Sequence, residues 1–404
     1  MIFPPEFQLL LLAAQLTPGS ERLRKLAGEG VDWQAMLDSA AWHRVRPIVY
    51  DNLRKACWDL VPPDVQQQWQ LHARAIGRRA LFDTSAFLRI AAAFEKELIP
   101  LVALKGPVLA QEVYDSIALR EFVDLDLLVR ERDFLKAVAT LQRLNYRADW
   151  DVDPCTQLQF LRYQGETSFA KAKSGLIIDL HWRVAAENNA LPLDAAFFWP
   201  RFRPVQFEGQ RLLGFAPEDL ALYLAAQGGH DEWSDFRRLC DLAALIHRHP
   251  HLEWDSVVQE ANRLHGLRVL LLGLRLAAEL LDVPLPEIVE NRMREDSTLS
   301  ALANQSLAKI TARNPPDDFR RSLFQIQVKE RLWDKTRLAF GLLTDRTDTD
   351  GQWIMLPKAI WPLYRALRPL RQLIKVMRGY WLLRQRIAVT SAMSKECSAS
   401  PQRG

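Results

Sequence analysis

Three acidic side chains are spaced as a phosphate-handling site would need them. Within "LREFVDLDLLVR" (119–130), Phe122, Val123, Leu125, Leu127, Leu128 and Val129 read as a strand bound for the interior, yet Asp124 and Asp126 interrupt it. Side chains alternate faces along a strand, so the two carboxylates point one way while Val123, Leu125 and Leu127 point the other. Carboxylates that close oppose each other's ionisation unless a cation intervenes. Mg²⁺ is such a cation, since it takes hard oxygen ligands and shares them with substrate phosphates. The third acid is Asp179 in "LIIDLHW", again strand-like, with Ile177 and His181 on its face. If the two strands pair, three carboxylates converge: two to hold metal, the third to share a metal and draw the proton from an attacking hydroxyl. Two metals bracketing the attacking and leaving oxygens suit in-line phosphoryl displacement.

A triphosphate must also be held. "LKGPVLA" offers a strand, Gly106 and a helix start at Pro107, where free N–H groups and the helix dipole favour an anion. Lys105 and Arg120 would add positive charge on either side. The plainer alternative is a solvated Asp-x-Asp face paired to Arg120 or Arg130. The order of the parts favours chemistry: strand, glycine, helix, strand with Asp-x-Asp, later strand with a third Asp.

The elements that position these residues follow from periodicity. Residues 1–95 read as an all-helical N-terminal region; "FDTSAFLRIAAAFEKELI" (82–99) has helical apolar spacing and runs into Pro100. Residues 96–190 alternate: a strand at 101–106, a helix at 107–115, the acidic strand at 122–129 and a helix at 131–144. "ETSFAKA" and "LIIDLHWRV" then flank a Lys-Ser-Gly turn at 173–175 as a β-hairpin. From 191 to 313 helical patterns dominate, after a possible short hairpin in "FWPRFRPVQFEGQRLLGF". "NPPDD" (314–318) is a break, and 314–404 is a helical extension with a polar loop at 344–351 and a frayed tail, "SKECSASPQRG". The expected class is α+β: a small mixed sheet flanked by helical N- and C-terminal regions.

Bulk composition excludes several classes. With 404 residues, 49% hydrophobic, 25% charged and a formal charge of +4, the chain is an ordinary globular protein rather than a disordered or strongly basic one. Nucleic acid as a partner is not supported, because no aromatic-plus-basic stacking pattern appears. Cys57, Cys155, Cys240 and Cys397 are scattered, which is neither a disulfide framework nor a zinc site, and a reducing cytoplasm is the expected home. "FQLLLLAAQL" lacks a basic leader and reads as a buried helix; the 267–283 run is interrupted by Arg268 and Arg275, so no transmembrane segment is expected.

"LKGPVLAQEVYDSIALREFVDLDLLV" followed by "LIIDLHWRV" resembles the uncharacterised nucleotidyltransferase family, a bacterial branch of the polymerase-β-like nucleotidyltransferases. The shared pattern is Lys105-Gly106, Tyr114, Arg120, Asp124-Leu-Asp126-Leu-Leu-Val and Asp179-Leu-His181-Trp182. "HDEWSDFRRLCDLAAL" (230–245), with His230, Trp233 and Asp241, looks like that family's helical portion, and "WHRVRPIVYDNL" (42–53) is a fainter match. The resemblance implies that Asp124 and Asp126 bind metal, that Asp179 is the third acid, and that the nucleotide is an NTP, with ATP the expected donor. One position departs: the wider superfamily has Gly-Ser or Gly-Gly where this chain has Gly106-Pro107, and proline offers neither N–H nor hydroxyl.

The expected function is therefore Mg²⁺-dependent transfer of a nucleoside monophosphate from an NTP to an unidentified hydroxyl or phosphate acceptor, such as a sugar, an antibiotic-like molecule, a peptide, a protein or an RNA end. Lys105, Gly106 and Arg120 would hold the nucleotide. The alternative is an inactive nucleotide-binding or scaffold protein of the same fold, which Pro107 favours. Among other residues, His181 is equally a substrate contact or a buried orienting group. His230, Trp233 and Asp241 read first as packing residues. His247, His249 and His251 in "HRHPH" read as a helix C-terminus rather than a metal cluster. The stretch 358–386 has eight basic residues and no acid, and Arg365, Arg368, Arg371, Lys375 and Arg378 lie opposite a leucine-rich stripe. It reads as a docked surface helix, with a membrane surface or an acidic partner as the alternative.

Overall fold

A computed structural model describes residues 3–148, 165–171, 175–185, 189–313 and 318–344. The chain forms one compact unit over Met1–Arg331 and a second over Leu332–Gly404, of which the described part is the helix Leu332–Thr344. The basic stretch 358–386, the loop beyond 344, the tail, the 314–317 break, and Lys173 and Ser174 of the expected turn lie outside the described residues.

Among the described residues, seven strands make one mixed sheet: β1 (Val102–Ala103), β2 (Asp124–Leu128), β3 (Arg147–Ala148), β4 (Glu166–Ala170), β5 (Ile177–His181), β6 (Arg203–Phe207) and β7 (Gln210–Gly214), in the order β3-β4-β5-β2-β1-β7-β6. β2 runs parallel to β5 and antiparallel to β1, while β4 is antiparallel to β5. The α+β expectation holds. The expected hairpin is present as the β4–β5 pairing, from Glu166↔His181 to Ala170↔Ile177. The sheet also reaches past residue 190: β6 and β7 form a hairpin that joins it where β7 pairs parallel with β1.

Alternation along β2 and β5 divides the sheet into two chemistries. Leu125, Leu127, Ile178 and Leu180, with Phe169 of β4, bury one face against Phe87, Ile90 and Phe94 of the helix Pro63–Lys96 and Phe134 and Leu141 of the helix Phe134–Arg143. Each such side chain contributes about 1.5–3 kcal/mol on burial, so this face fixes the register. The 82–99 helix expected from sequence is the end of that 34-residue helix, whose first half is too polar to show a clean apolar stripe. The helix expected from 131 begins with a 3-10 turn, Glu131–Asp133, before regular α-helix from Phe134.

The other face carries the acids. Toward β1 it is covered by a second core that joins Leu104, Leu109, Tyr114 and Leu128 to the helices Pro217–His230, Phe236–Arg248 and Leu267–Leu281. Trp233, fully buried, keys these helices together. Its ring lies so close to Gly228 and Gly273 that a Cβ there would sit 2.3 and 2.1 Å from ring carbons.

Candidate active site

β2 and β5 bring the acids together as pairing demands. Asp126 is directly opposite Asp179 across the parallel pair, and Asp124 is opposite Ile177, so all three aspartates share one face of the sheet. Ser168 stands opposite Asp179 on the other side, and Glu166 opposite His181. Asp124 is half-buried at the start of β2, whereas Asp126 is buried.

Asp126 is the electrostatic centre. Lys105 Nζ lies 3.3 Å and His181 Nε2 3.2 Å from its Oδ1. His181 Nδ1 in turn lies 2.9 Å from Glu166 Oε2. Burial alone would push the Asp126 carboxyl up, but Lys105 and His181 hold it well below the usual carboxylate range. Burial disfavours charge on His181 too, yet Asp126 and Glu166 override it and raise the imidazole to about 9. His181 is thus a charged, buried bridge between two carboxylates. Asp179 behaves oppositely: burial and the nearby Asp126 and Asp124 charges push its carboxyl up, although Ser168 Oγ donates to its Oδ1 at 2.6 Å.

Lys105 and Gly106 sit at the mouth of the site. Leu104 N donates to Asp126 O at 3.0 Å, which ties this turn to β2. Gly106 opens the helix Gly106–Tyr114 with φ +67°, a left-handed conformation that glycine adopts without Cβ strain, and Pro107 occupies the first turn. A Cβ on Gly106 would lie 3.8 Å from Asp124 O, so the helix start abuts the first acid.

Arg120 is held inside the fold. It was expected to touch phosphates, but its guanidinium is buried and spent on Asp241: Nε to Oδ1 and Nη2 to Oδ2, both 2.9 Å. Tyr114 OH donates to the same Asp241 Oδ1 at 3.0 Å. The next residue, Glu121, receives Arg46 Nη2 at 2.6 Å and Nε at 3.2 Å, and its carbonyl accepts from Arg237 Nη1 at 3.0 Å. The segment leading into β2 is therefore clamped from both sides. Arg120, Tyr114 and Asp241 thus tie the approach to β2 to the helix Phe236–Arg248. His230 lies beside Asp231, with Nδ1 3.1 Å from Oδ1, and Trp233 is the packing key described above.

Glu166 and Ser168 escaped sequence reasoning. The signal was faint, since "ETSFA" opens with three polar residues in a row, and only the antiparallel register with β5 places Glu166 and Ser168 beside His181 and Asp179.

Residues 29–282 match the family described as uncharacterised nucleotidyltransferase. The chain belongs to that family. The match spans every site element above, from Arg46 through Asp241, and makes nucleotidyl transfer the general reaction class, with a nucleotide as substrate. No curated protein and no solved structure matches the chain.

The family's reaction class raises the question of a metal. Among the described residues, no three His, Cys, Asp or Glu side chains already form a metal-binding group. The donor chemistry nevertheless fits a hard divalent cation. Three carboxylates share a face, and both cationic contacts to Asp126 fall on Oδ1. Among the described residues, neither Asp124 nor Asp179 has an ion-pair partner. No helix of the described residues is long and apolar enough to cross a membrane.

Proposed function

We propose that this protein transfers a nucleoside monophosphate from an NTP, ATP being the expected donor, to a hydroxyl or phosphate acceptor, with Mg²⁺ held by Asp124, Asp126 and Asp179. The observation that carries the proposal is the alignment of Asp126 with Asp179 across two parallel strands, Asp124 being on the same face. Bound Mg²⁺ would offset charge on the triphosphate and on the departing pyrophosphate. Asp179, its carboxyl pushed up by burial and by the Asp126 and Asp124 charges, is the residue suited to take the acceptor proton. Lys105 lies between Asp126 and the Gly106 turn, where it can turn to a phosphate oxygen; the amides behind Pro107 supply further donors at the helix start. His181 keeps Asp126 ionised, and Ser168 fixes one oxygen of Asp179.

The test is Mg²⁺-dependent release of pyrophosphate from α-labelled NTPs, with label transferred to an acceptor from host lysate. Asp126→Ala should abolish transfer in a folded protein; unchanged transfer would refute the assignment. A second reading, nucleotide binding without catalysis, is favoured by Pro107, which removes one amide from the phosphate cradle. Calorimetry separates them: a binder takes up nucleotide yet yields no pyrophosphate with any acceptor.

A further inference from the structure

Glu166 stands outside the set of three aspartates, yet it ends a chain of contacts that crosses three strands. It lies on β4 directly opposite His181 of β5. His181 is in turn diagonal to Asp126 of β2, whose direct partner is Asp179, and a diagonal neighbour is within reach of a long side chain. The imidazole spans both gaps: Nδ1 lies 2.9 Å from Glu166 Oε2, and Nε2 lies 3.2 Å from Asp126 Oδ1. A ring with both nitrogens engaged cannot turn without breaking a contact, and the bond at one nitrogen sets what the other presents. The main chain of His181 is tied as well, since Val129 N donates to its carbonyl at 2.9 Å. The imidazole is a strut with a fixed root and two fixed ends.

That strut holds one oxygen of Asp126. Among the described residues, both side-chain contacts to this carboxylate fall on Oδ1, one from Lys105 Nζ at 3.3 Å and one from His181. The two contacts differ in stiffness. Lys105 is an ammonium on a flexible four-carbon stem, and under the proposed function it turns to a phosphate oxygen. His181 is then the contact that keeps the Asp126 carboxylate in one orientation, with Oδ2 left for a cation. Groups that orient a metal ligand from one step behind it change metal affinity by about 10–100-fold when mutated.

We infer that Glu166 is a positioning residue for the divalent cation: by bracing His181 it fixes the Asp126 carboxylate, and with it the affinity of the acid face for Mg²⁺. The inference rests on the reading that Asp124, Asp126 and Asp179 hold the metal. Bracing and simple negative charge differ in their consequences. Glu166→Gln removes the charge but keeps an oxygen for Nδ1, whereas Glu166→Leu removes both. The Glu166 side chain is 62% exposed, so neither substitution opens a cavity in the core.

The test is titration of the full chain with Mn²⁺, standing in for Mg²⁺, followed by the paramagnetic resonance of the free ion, with the melting temperature of each variant recorded alongside. Wild type should bind Mn²⁺, and Asp126→Asn should bind it far more weakly. Glu166→Leu should bind about tenfold or more weaker than Glu166→Gln. In a His181→Gln background, Glu166→Leu should change the affinity by less than about twofold, because the strut is already gone. A Glu166→Leu variant that binds Mn²⁺ like Glu166→Gln overturns the inference and leaves the metal reading standing, whether or not its melting temperature falls. So does a further large loss in the His181→Gln background, which would mean that Glu166 does not act through the imidazole. If wild type binds no Mn²⁺, or Asp126→Asn binds it unchanged, the metal reading itself fails and the inference falls with it.

Discussion

Removing Asp241 tests whether Arg120 is a structural or a ligand-binding residue. Arg120 and Asp241 are 4% and 2% exposed and share two 2.9 Å hydrogen bonds. Asp241→Ala strands a guanidinium in the interior, which costs about 3–5 kcal/mol when one partner of a buried pair is deleted. The Tyr114 hydroxyl loses its acceptor at the same time, a penalty of about 1–3 kcal/mol that overlaps with the first because both fall on one carboxylate. Replacing the set by apolar residues, as Arg120→Met/Asp241→Leu/Tyr114→Phe, removes every stranded group, and stability should return to within about 1–2 kcal/mol of wild type. Urea unfolding followed by tryptophan fluorescence gives the free energies, and equilibrium NTP binding gives the functional readout. Because Arg120 is already spent on Asp241, the triple variant should bind nucleotide within about threefold of wild type. An Asp241→Ala cost below about 1 kcal/mol would refute the buried-pair reasoning. A tenfold loss of nucleotide affinity in a well-folded triple variant would return Arg120 to the phosphate site.

Three further outcomes follow from single positions. Gly106→Ala forces a Cβ into a φ of +67° and should cost about 1–2 kcal/mol with a marked loss of NTP binding; a variant with wild-type affinity would show that this turn does not hold phosphate. His181 is held at about 9, above its ordinary 6.5, so the stability it contributes is complete below pH 6.5 and fades as pH rises through 9. Melting temperatures of wild type and His181→Gln should therefore converge from pH 6 to 10, and a constant gap would contradict the charged bridge. Gly273→Ala drives a methyl to 2.1 Å from Trp233 and should cost about 1–3 kcal/mol in urea unfolding, and an unperturbed variant would mean that the ring is not the key to that helical layer.

The sequence made one face of the sheet legible and left the other half-read. Leu125 and Leu127 alternate with Asp124 and Asp126, so strand identity and the shared direction of the acids needed no partner strand. Asp179 required more, because its face was evident but its neighbour was not; the parallel register that seats it beside Asp126 is a long-range fact. The partner of Arg120 was illegible because its position beside the acidic strand says nothing of an aspartate 121 residues later. β6 and β7 were faint for a similar reason: a largely exposed hairpin such as β6, with only Phe207 buried, carries little apolar alternation. Boundaries slipped where a 3-10 turn precedes the helix Phe134–Arg143, since local spacing does not distinguish the two windings.

Charge balance around Asp126 bears on whether the proposed metal suits this face. Lys105 and His181 supply two positive charges, and Asp126 and Glu166 supply two negative ones in direct contact with them. That quartet is neutral, so a buried Asp126 is tolerated without any further cation. Asp124 and Asp179 stand outside it. When both ionise they leave two negative charges on one sheet face without an ion-pair partner among the described residues; burial first, and after it the Asp126 and Asp124 charges, push the Asp179 carboxyl up. Under the proposed function one divalent cation would cancel that surplus, with phosphate oxygens of the nucleotide sharing it. A chain that only packed its sheet would gain nothing from placing Asp179 there: Asn at that position would keep the Ser168 hydrogen bond and relieve the repulsion. Under the proposed function, that charge has a use in the transfer reaction that it lacks in packing.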